Sequence, residues 1–220
     1  MSEERHIAIT ISRQMGSGGA YIGHLVAKEL GFKYLDREIL RKAAEHFGTD
    51  VRMLEDLGER SPGLIETIIK GFSYGTPAWG FLQPMKQPVY SRDLFTLECK
   101  IIQGIADQYN AVIIGRGGFY ALRERPGVIR VFIHAPREFR VKRVMQVQNI
   151  MDIRKARNKV KDSDESRTKY IRDMAGVDWK DSHNFHLCID SSFIGFHESA
   201  KMIVGLAKKI KLSDQGKEKE

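Results

Sequence analysis

The chain has 220 residues, with 36 Lys or Arg against 28 Asp or Glu and a formal net charge of +8 at pH 7. That length suits a single domain with an ample core, and 42% hydrophobic with 29% charged residues excludes a chain disordered throughout. No stretch approaches the roughly 20 apolar residues that a membrane span requires. Met1-Ser2-Glu3-Glu4-Arg5 lacks the basic start and apolar run of a secretory signal, so a cytoplasmic protein with no membrane partner is expected. Cys99 and Cys188 sit in apolar periodic segments without histidine at zinc-ligand spacing, and both are expected to be buried.

In chain order, Ile7-Ala8-Ile9-Thr10-Ile11 is an apolar run that ends at glycines and predicts a buried strand. Ile22, Leu25, Val26 and Leu30 then recur at helical spacing as far as Gly31, a natural C-cap. Phe32 to Leu35 predicts a second strand, and Asp36 suits the N-cap of a helix carrying Ile39, Leu40 and Ala43. Thr49 to Phe72 reads as two short helices broken near Gly58 and Pro62. A long loop with Tyr74, Trp79 and Phe81 follows, its aromatics suited better to packing than to base stacking.

Ser91 opens a helix whose stripe is Leu94, Leu97, Ile101 and Ile105. Ala111 to Ile114 and Val128 to Ile133 are further buried strands, the first closed by Gly115-Arg116-Gly117-Gly118. Pro136 starts a helix through about Val147, a basic polar span follows, and Leu187 to Asp190 is the last strand. A final helix carries Ile203, Leu206, Ala207 and Ile210 before a frayed tail at 213–220. Strands alternating with helices predict an α/β fold with a parallel sheet covered on both faces. Ligands of such sheets bind outside the carboxyl ends of the strands, where the glycine turns fall.

Much of the excess positive charge lies between Arg137 and Arg172, and not along one amphipathic face with interleaved aromatics. That placement favours phosphorylated small molecules over a nucleic-acid surface. Within Arg13-Gln14-Met15-Gly16-Ser17-Gly18-Gly19 the glycines allow successive backbone N–H groups to converge on an anion at a helix N-terminus. The alternative for this turn taken alone is a tight strand-to-helix connection that needs glycine for steric reasons.

Read through this turn, the sequence resembles the nucleoside monophosphate kinases, and within them the cytidylate kinase-like branch. Ile9-Thr10-Ile11-Ser12-Arg13-Gln14-Met15-Gly16-Ser17-Gly18-Gly19 carries the resemblance. It continues through Tyr34-Leu35-Asp36, Gly115-Arg116-Gly117, the segment from Val131 to Pro136, the helix bearing Arg140 and Arg143, the group Asp162, Asp164 and Arg167, and Ile189-Asp190-Ser191-Ser192. The resemblance implies a three-layer α/β/α P-loop kinase fold over residues 1–212, with a central five-stranded parallel sheet, a helical acceptor-binding insertion at about 37–90 and a lid at about 144–170. It implies transfer of the γ-phosphoryl of ATP, with Mg²⁺, to CMP, dCMP or a related monophosphate.

By the same resemblance, Ser12, Gln14, Gly16, Ser17, Gly18, Gly19 and Ala20 hold the donor nucleotide, and Asp36, Arg41, Arg92 and Arg116 the acceptor. Arg140, Asp162 and Asp164 belong to the lid. The orthodox motif G-x-x-x-x-G-K-[ST] is not met, because Arg13 stands at the first glycine, Gly19 at the lysine and Ala20 at the hydroxyl residue. Arg13, Arg143 and Arg167 are therefore the candidate catalytic cations, and Ser17 a candidate Mg²⁺ ligand. The alternative is a catalytically weak nucleotide-binding sensor or interaction protein on the same fold. For Arg116 the alternative is a salt bridge to a neighbouring helix, and for Asp36 a helix cap. The sequence leaves the oligomeric state open.

Overall fold

The structure, a computed structural model, describes residues 6–36 and 92–216, with side chains as far as Ile210. The helices and aromatic loop expected between 37 and 90, and Arg41 with them, lie outside the described residues.

Five apolar runs become strands: β1 (Ala8–Arg13), β2 (Lys33–Leu35), β3 (Ala111–Ile114), β4 (Val128–His134) and β5 (Leu187–Asp190). They form one parallel sheet in the order β2-β3-β1-β4-β5. Ala8 lies opposite Ala111 on one side and Val128 on the other, and Ile11 opposite Ile114 and Val131. Because side chains alternate along a strand, this register sorts the apolar residues onto two faces.

On one face Ile9, Ile11, Val112, Ile114, Ile129 and Val131 pack with Ile22 and Val26 of α1 (Gly19–Leu30). Ile203 and Val204 of a C-terminal helix (Phe196–Gly216) join them. On the other, Ala8, Ala111, Ile113 and Val128 meet Leu97, Ile101 and Ile105 of α2 (Arg92–Gln108). The result is the three-layer α/β/α arrangement, both sheet faces being too apolar to leave in water. Ile113 is wholly buried, and truncation to Ala would cost about 2–5 kcal/mol.

A one-turn helix, α3 (Gly118–Ala121), follows β3, and α4 (Arg137–Gln148) follows β4. The basic span after α4 is helical: Ile153–Ala175 forms a 23-residue helix, α5. Asp152 caps it, accepting from the N–H groups of Arg154 and Lys155, and Gly176 ends it with φ +70°. Its buried stripe is Ala156, Val160, Asp164, Tyr170 and Ile171. An acid in the middle of that stripe is what breaks the apolar pattern in the sequence.

The last one-turn helix, α6 (Ser191–Ile194), leads into α7 (Phe196–Gly216), which runs four residues beyond 212. One expectation fails outright. Cys188 is exposed, because β5 is an edge strand with little covering that side, and Cys99 is only half-buried.

Candidate functional site

The turn between β1 and α1 is left-handed at Gly16 (φ +82°) and at Gly18 (φ +80°). Its hydrogen bonds divide it into a bound and an open part. The N–H of Gln14 donates to Ile133, that of Ser17 to Gln14, and that of Met15 to the Asp164 carboxylate at 2.9 Å. Among the described residues, the N–H groups of Gly16 and Gly18 have no such partner. Gly19 and Ala20 belong to the first turn of α1, where N–H groups lack intrahelical acceptors. Alternating left-handed glycines and a helix N-terminus together make a cradle for an anion.

Three side chains from distant sequence positions hold this turn from behind. Asp164 of α5 takes Met15 N–H on one oxygen and the Arg140 guanidinium at 2.6 Å on the other. Arg140 also donates to the carbonyls of Met15 and Ala135. The Met15 side chain packs among Val141, Val144, Ala156 and Val160. Ser191, wholly buried at the start of α6, donates toward the Ser17 and His134 carbonyls. The cradle is therefore anchored to α4, α5 and α6 before any ligand arrives.

Arg13 leaves the end of β1 with its stem against Gly19, where an added Cβ would lie 2.5 Å from the Arg13 Cβ. Its guanidinium reaches the second glycine turn, so a Cβ on Gly115 would overlap Arg13 Nη1. Tyr34, in the middle of β2, shares this neighbourhood. Burial and the charge of Asp36 raise its pKa, and Arg13 opposes them. The Tyr34 hydroxyl donates to the Ala20 carbonyl at 3.4 Å.

At the other flank the Phe196 ring presses on Gly18, whose added Cβ would meet it at 2.6 Å. Arg143 lies 4.2 Å over that ring, and its partial burial lowers its pKa. Arg167 donates to Asp164 at 3.0 Å and keeps about a quarter of its side chain in solvent.

A family model described as the cytidylate kinase-like family matches residues 8–193. The chain belongs to that family. A solved structure of an uncharacterized protein from Eubacterium ventriosum is similar at 20% identity, with a TM-score of 0.64 over 92% of this chain and 99% of that one. A gluconokinase from Sinorhizobium meliloti is similar at 12% identity, with a TM-score of 0.52 over 95% and 98%. These likenesses support the P-loop kinase fold, and the strand order agrees with it. No curated protein matches. No helix of the described residues is long and apolar enough to cross a membrane.

Within the family's frame, the sequence-predicted residues fall into three groups. Gly16, Gly18, Gly19 and Ala20 form the open cradle, with Arg13 beside it and Arg143 and Arg167 at its rim. Gln14, Arg140 and Asp164 are structural here: Gln14 is tied to β4 and to Ala135 N–H, and the buried Arg140–Asp164 pair clamps the turn. Ser12 is buried within β1, and Asp162 and Arg92 are exposed on their helices. Asp36 is half-buried at the end of β2.

Two placements depart from expectation. The Ser17 hydroxyl is wholly buried and donates toward the carbonyls of Gln14 and Ile133, so it does not face the cradle as a Mg²⁺ ligand. Among the described residues no group of three or more His, Cys, Asp or Glu could hold a metal either. Arg116 turns inward and pairs with Glu98 of α2 at 3.3 Å. The salt-bridge alternative is thus what the structure displays. The sequence reading quoted Ser191 within a matching segment but gave it no role, and it missed Phe196, Glu98 and Tyr170. Only Ser191 carried a local signal, following an Asp that caps a helix.

Proposed function

We propose that this protein is a phosphotransferase that moves the γ-phosphoryl of ATP, taken up as its magnesium complex, to a nucleoside monophosphate, with CMP and dCMP the first candidates. One observation carries the reading: arginine at position 13 and glycine at position 19 reverse the glycine and lysine of an orthodox P-loop, and Arg13 occupies the space a side chain at 19 would need. A cation is thereby kept beside the cradle without the usual lysine.

The amides of Gly16, Gly18, Gly19 and Ala20 would receive the donor phosphates. Arg13 would neutralise charge on the β- and γ-oxygens, with Arg167 and Arg143 closing from α5 and α4. An oxygen of the acceptor phosphate attacks the γ-phosphorus, the bond to the β-phosphate oxygen breaks, and ADP and the nucleoside diphosphate leave. Such transfer asks a protein mainly for positioning and charge neutralisation, which these groups supply.

A second reading has one observation in its favour. Phe196 leans on Gly18 beneath Arg143, an arrangement compatible with a nucleotide-binding sensor that turns over poorly. Coupled ADP release across a panel of nucleoside monophosphates, with ATP binding measured separately, separates the two. Monophosphate-dependent ADP release supports the phosphotransferase. ATP binding without any such release selects the sensor.

A further inference from the structure

Arg130 interrupts the apolar run of β4. Its neighbours Ile129 and Val131 share the sheet face that packs against α1, so side-chain alternation puts the arginine on the opposite face with Phe132. Half-buried there, the guanidinium is held by main-chain carbonyls: Nε donates to Asn184 at 3.0 Å and Nη1 to Arg123 at 3.2 Å. Among the described residues no carboxylate pairs with it, and Nη2 has no partner.

A cavity of about 190 Å³, open to solvent, lies against this arginine and is lined also by Phe119, Tyr120, Arg123, His183 and Asn184. None of its lining residues is acidic. Arg123 comes from the chain after α3, its guanidinium carbon 4.1 Å from the Tyr120 ring centroid and Nη1 donating to the Tyr120 carbonyl. Two acids adjoin the lining residues in sequence. Glu124 pairs with Arg123 Nε at 3.2 Å but is 87% exposed, and an ion pair so open to water contributes little. Asp181 holds the His183 ring at 2.7 Å.

Two guanidiniums therefore share one cavity, and the more buried of them has only neutral oxygens as partners. Burying a cation without a counter-charge is costly, and an anion in the cavity removes that cost. Guanidinium forks match the oxygens of a phosphate, and a phosphomonoester carries close to two negative charges at pH 7. At roughly 30 Å³ per water the cavity has the room of about six waters. That holds a phosphate on a short carbon stem and is too little for a nucleotide.

The cavity is not the cradle. Arg130 stands opposite Thr10 of β1, three residues before Ile133, whose carbonyl accepts from Gln14 in the glycine turn. At about 3.3 Å per residue this is about 10 Å back along the strand.

We propose that this cavity is a second anion site, separate from the cradle, in which Arg123 and Arg130 take a phosphate dianion, either free or as a small phosphomonoester. The site is independent of phosphoryl transfer and stands whether or not the protein is a phosphotransferase.

The test is a titration of the full-length ¹⁵N-labelled protein with inorganic phosphate and, separately, with glycerol 3-phosphate, at constant ionic strength. Saturable shifts are expected at the backbone amides of Tyr120, Arg123 and Asn184. Their midpoints should weaken about tenfold or more in Arg123→Gln and in Arg130→Gln, each of which loses a charged donor, and should stay unchanged in Arg13→Ala. Arg123 is exposed, so its variant keeps the fold and decides the matter even where Arg130→Gln unfolds. Tighter binding of the ester supports the site and assigns it to small phosphomonoesters, with Phe119 and Tyr120 beside the stem; equal affinity supports it and assigns it to free phosphate. Shifts that fail to saturate, that persist unweakened in Arg123→Gln, or that vanish in Arg13→Ala overturn the proposal, as does acetate binding as tightly as phosphate.

Discussion

The stem of Arg13 fills the space in which a side chain at Gly19 would begin, the two β-positions standing 2.5 Å apart. A phosphate-binding turn with lysine at 19 needs a small residue at 13. Here the positions are reversed and the steric exclusion holds in both directions. Arg13→Ala should therefore lower kcat by about 10²–10³-fold, the size of losing one preorganised charge stabiliser. Gly19→Lys alone should be destabilised by collision with Arg13. The pair Arg13→Gly with Gly19→Lys should regain part of the rate. A double variant no faster than Arg13→Ala would count against the exchange.

Asp164 carries a different load. It is the acceptor for Met15 N–H and the partner of buried Arg140. Asp164→Ala leaves the Met15 N–H without its acceptor and the buried Arg140 charge without a carboxylate, its two carbonyl partners remaining, and loss of one member of a buried ion pair costs about 3–5 kcal/mol. Urea denaturation monitored by circular dichroism should show a correspondingly lower midpoint, and a variant as stable as wild type would refute the clamp.

Gly18 has two reasons to be glycine: φ +80° and the Phe196 ring against its α-carbon. Gly18→Ala should weaken ATP binding by at least tenfold through strain and ring displacement together. Adding Phe196→Ala should relieve the second cause and not the first, a partial recovery that isothermal titration can resolve.

Asp190 caps α6, accepting from the Ser192 hydroxyl at 2.6 Å and its N–H at 2.9 Å. These bonds, the hydroxyl foremost, lower its pKa below the ordinary aspartate value. A depressed carboxylate pKa means that the unfolded chain binds the proton more readily. The cap thus stabilises at neutral pH, and its contribution fades as pH falls through the acid range. The stability difference between wild type and Asp190→Asn should shrink between pH 7 and pH 3; a constant difference would argue against a charged cap.

The two thiols should separate by reactivity. Burial and the neighbouring Glu98 charge push Cys99 up to about 12, whereas Cys188 is exposed on β5. A disulfide reagent at pH 8 should titrate one thiol rapidly in the native protein and two after denaturation. Two fast native thiols would contradict the packing around Cys99.

These predictions rest on parts of the molecule that differ in how far the sequence announces them. The sheet was readable because Ala111 to Ile114 is buried on both faces and appears as an unbroken apolar run, and Val128 to Ile133 is interrupted only by Arg130. The glycine turn was readable because only glycine suits φ near +80°. Helix α5 was not, since Asp164 occupies a core position that an apolar residue would normally mark. The orientations of Arg116 and Arg140 were not readable either. Each is set by an acid on another helix, Glu98 or Asp164, and no local pattern says which arginine such an acid will hold. Cys188 misled because an apolar strand at a sheet edge has one uncovered side that its sequence does not reveal.

The most direct test is a titration of uniformly ¹⁵N-labelled protein with a nonhydrolysable ATP analogue and Mg²⁺, followed at the backbone amides. The account predicts saturable shifts, the largest at Gly16, Gly18, Gly19 and Ala20, that weaken in Arg13→Ala. Saturation with those four amides unmoved, or shifts confined to another part of the fold, would contradict it.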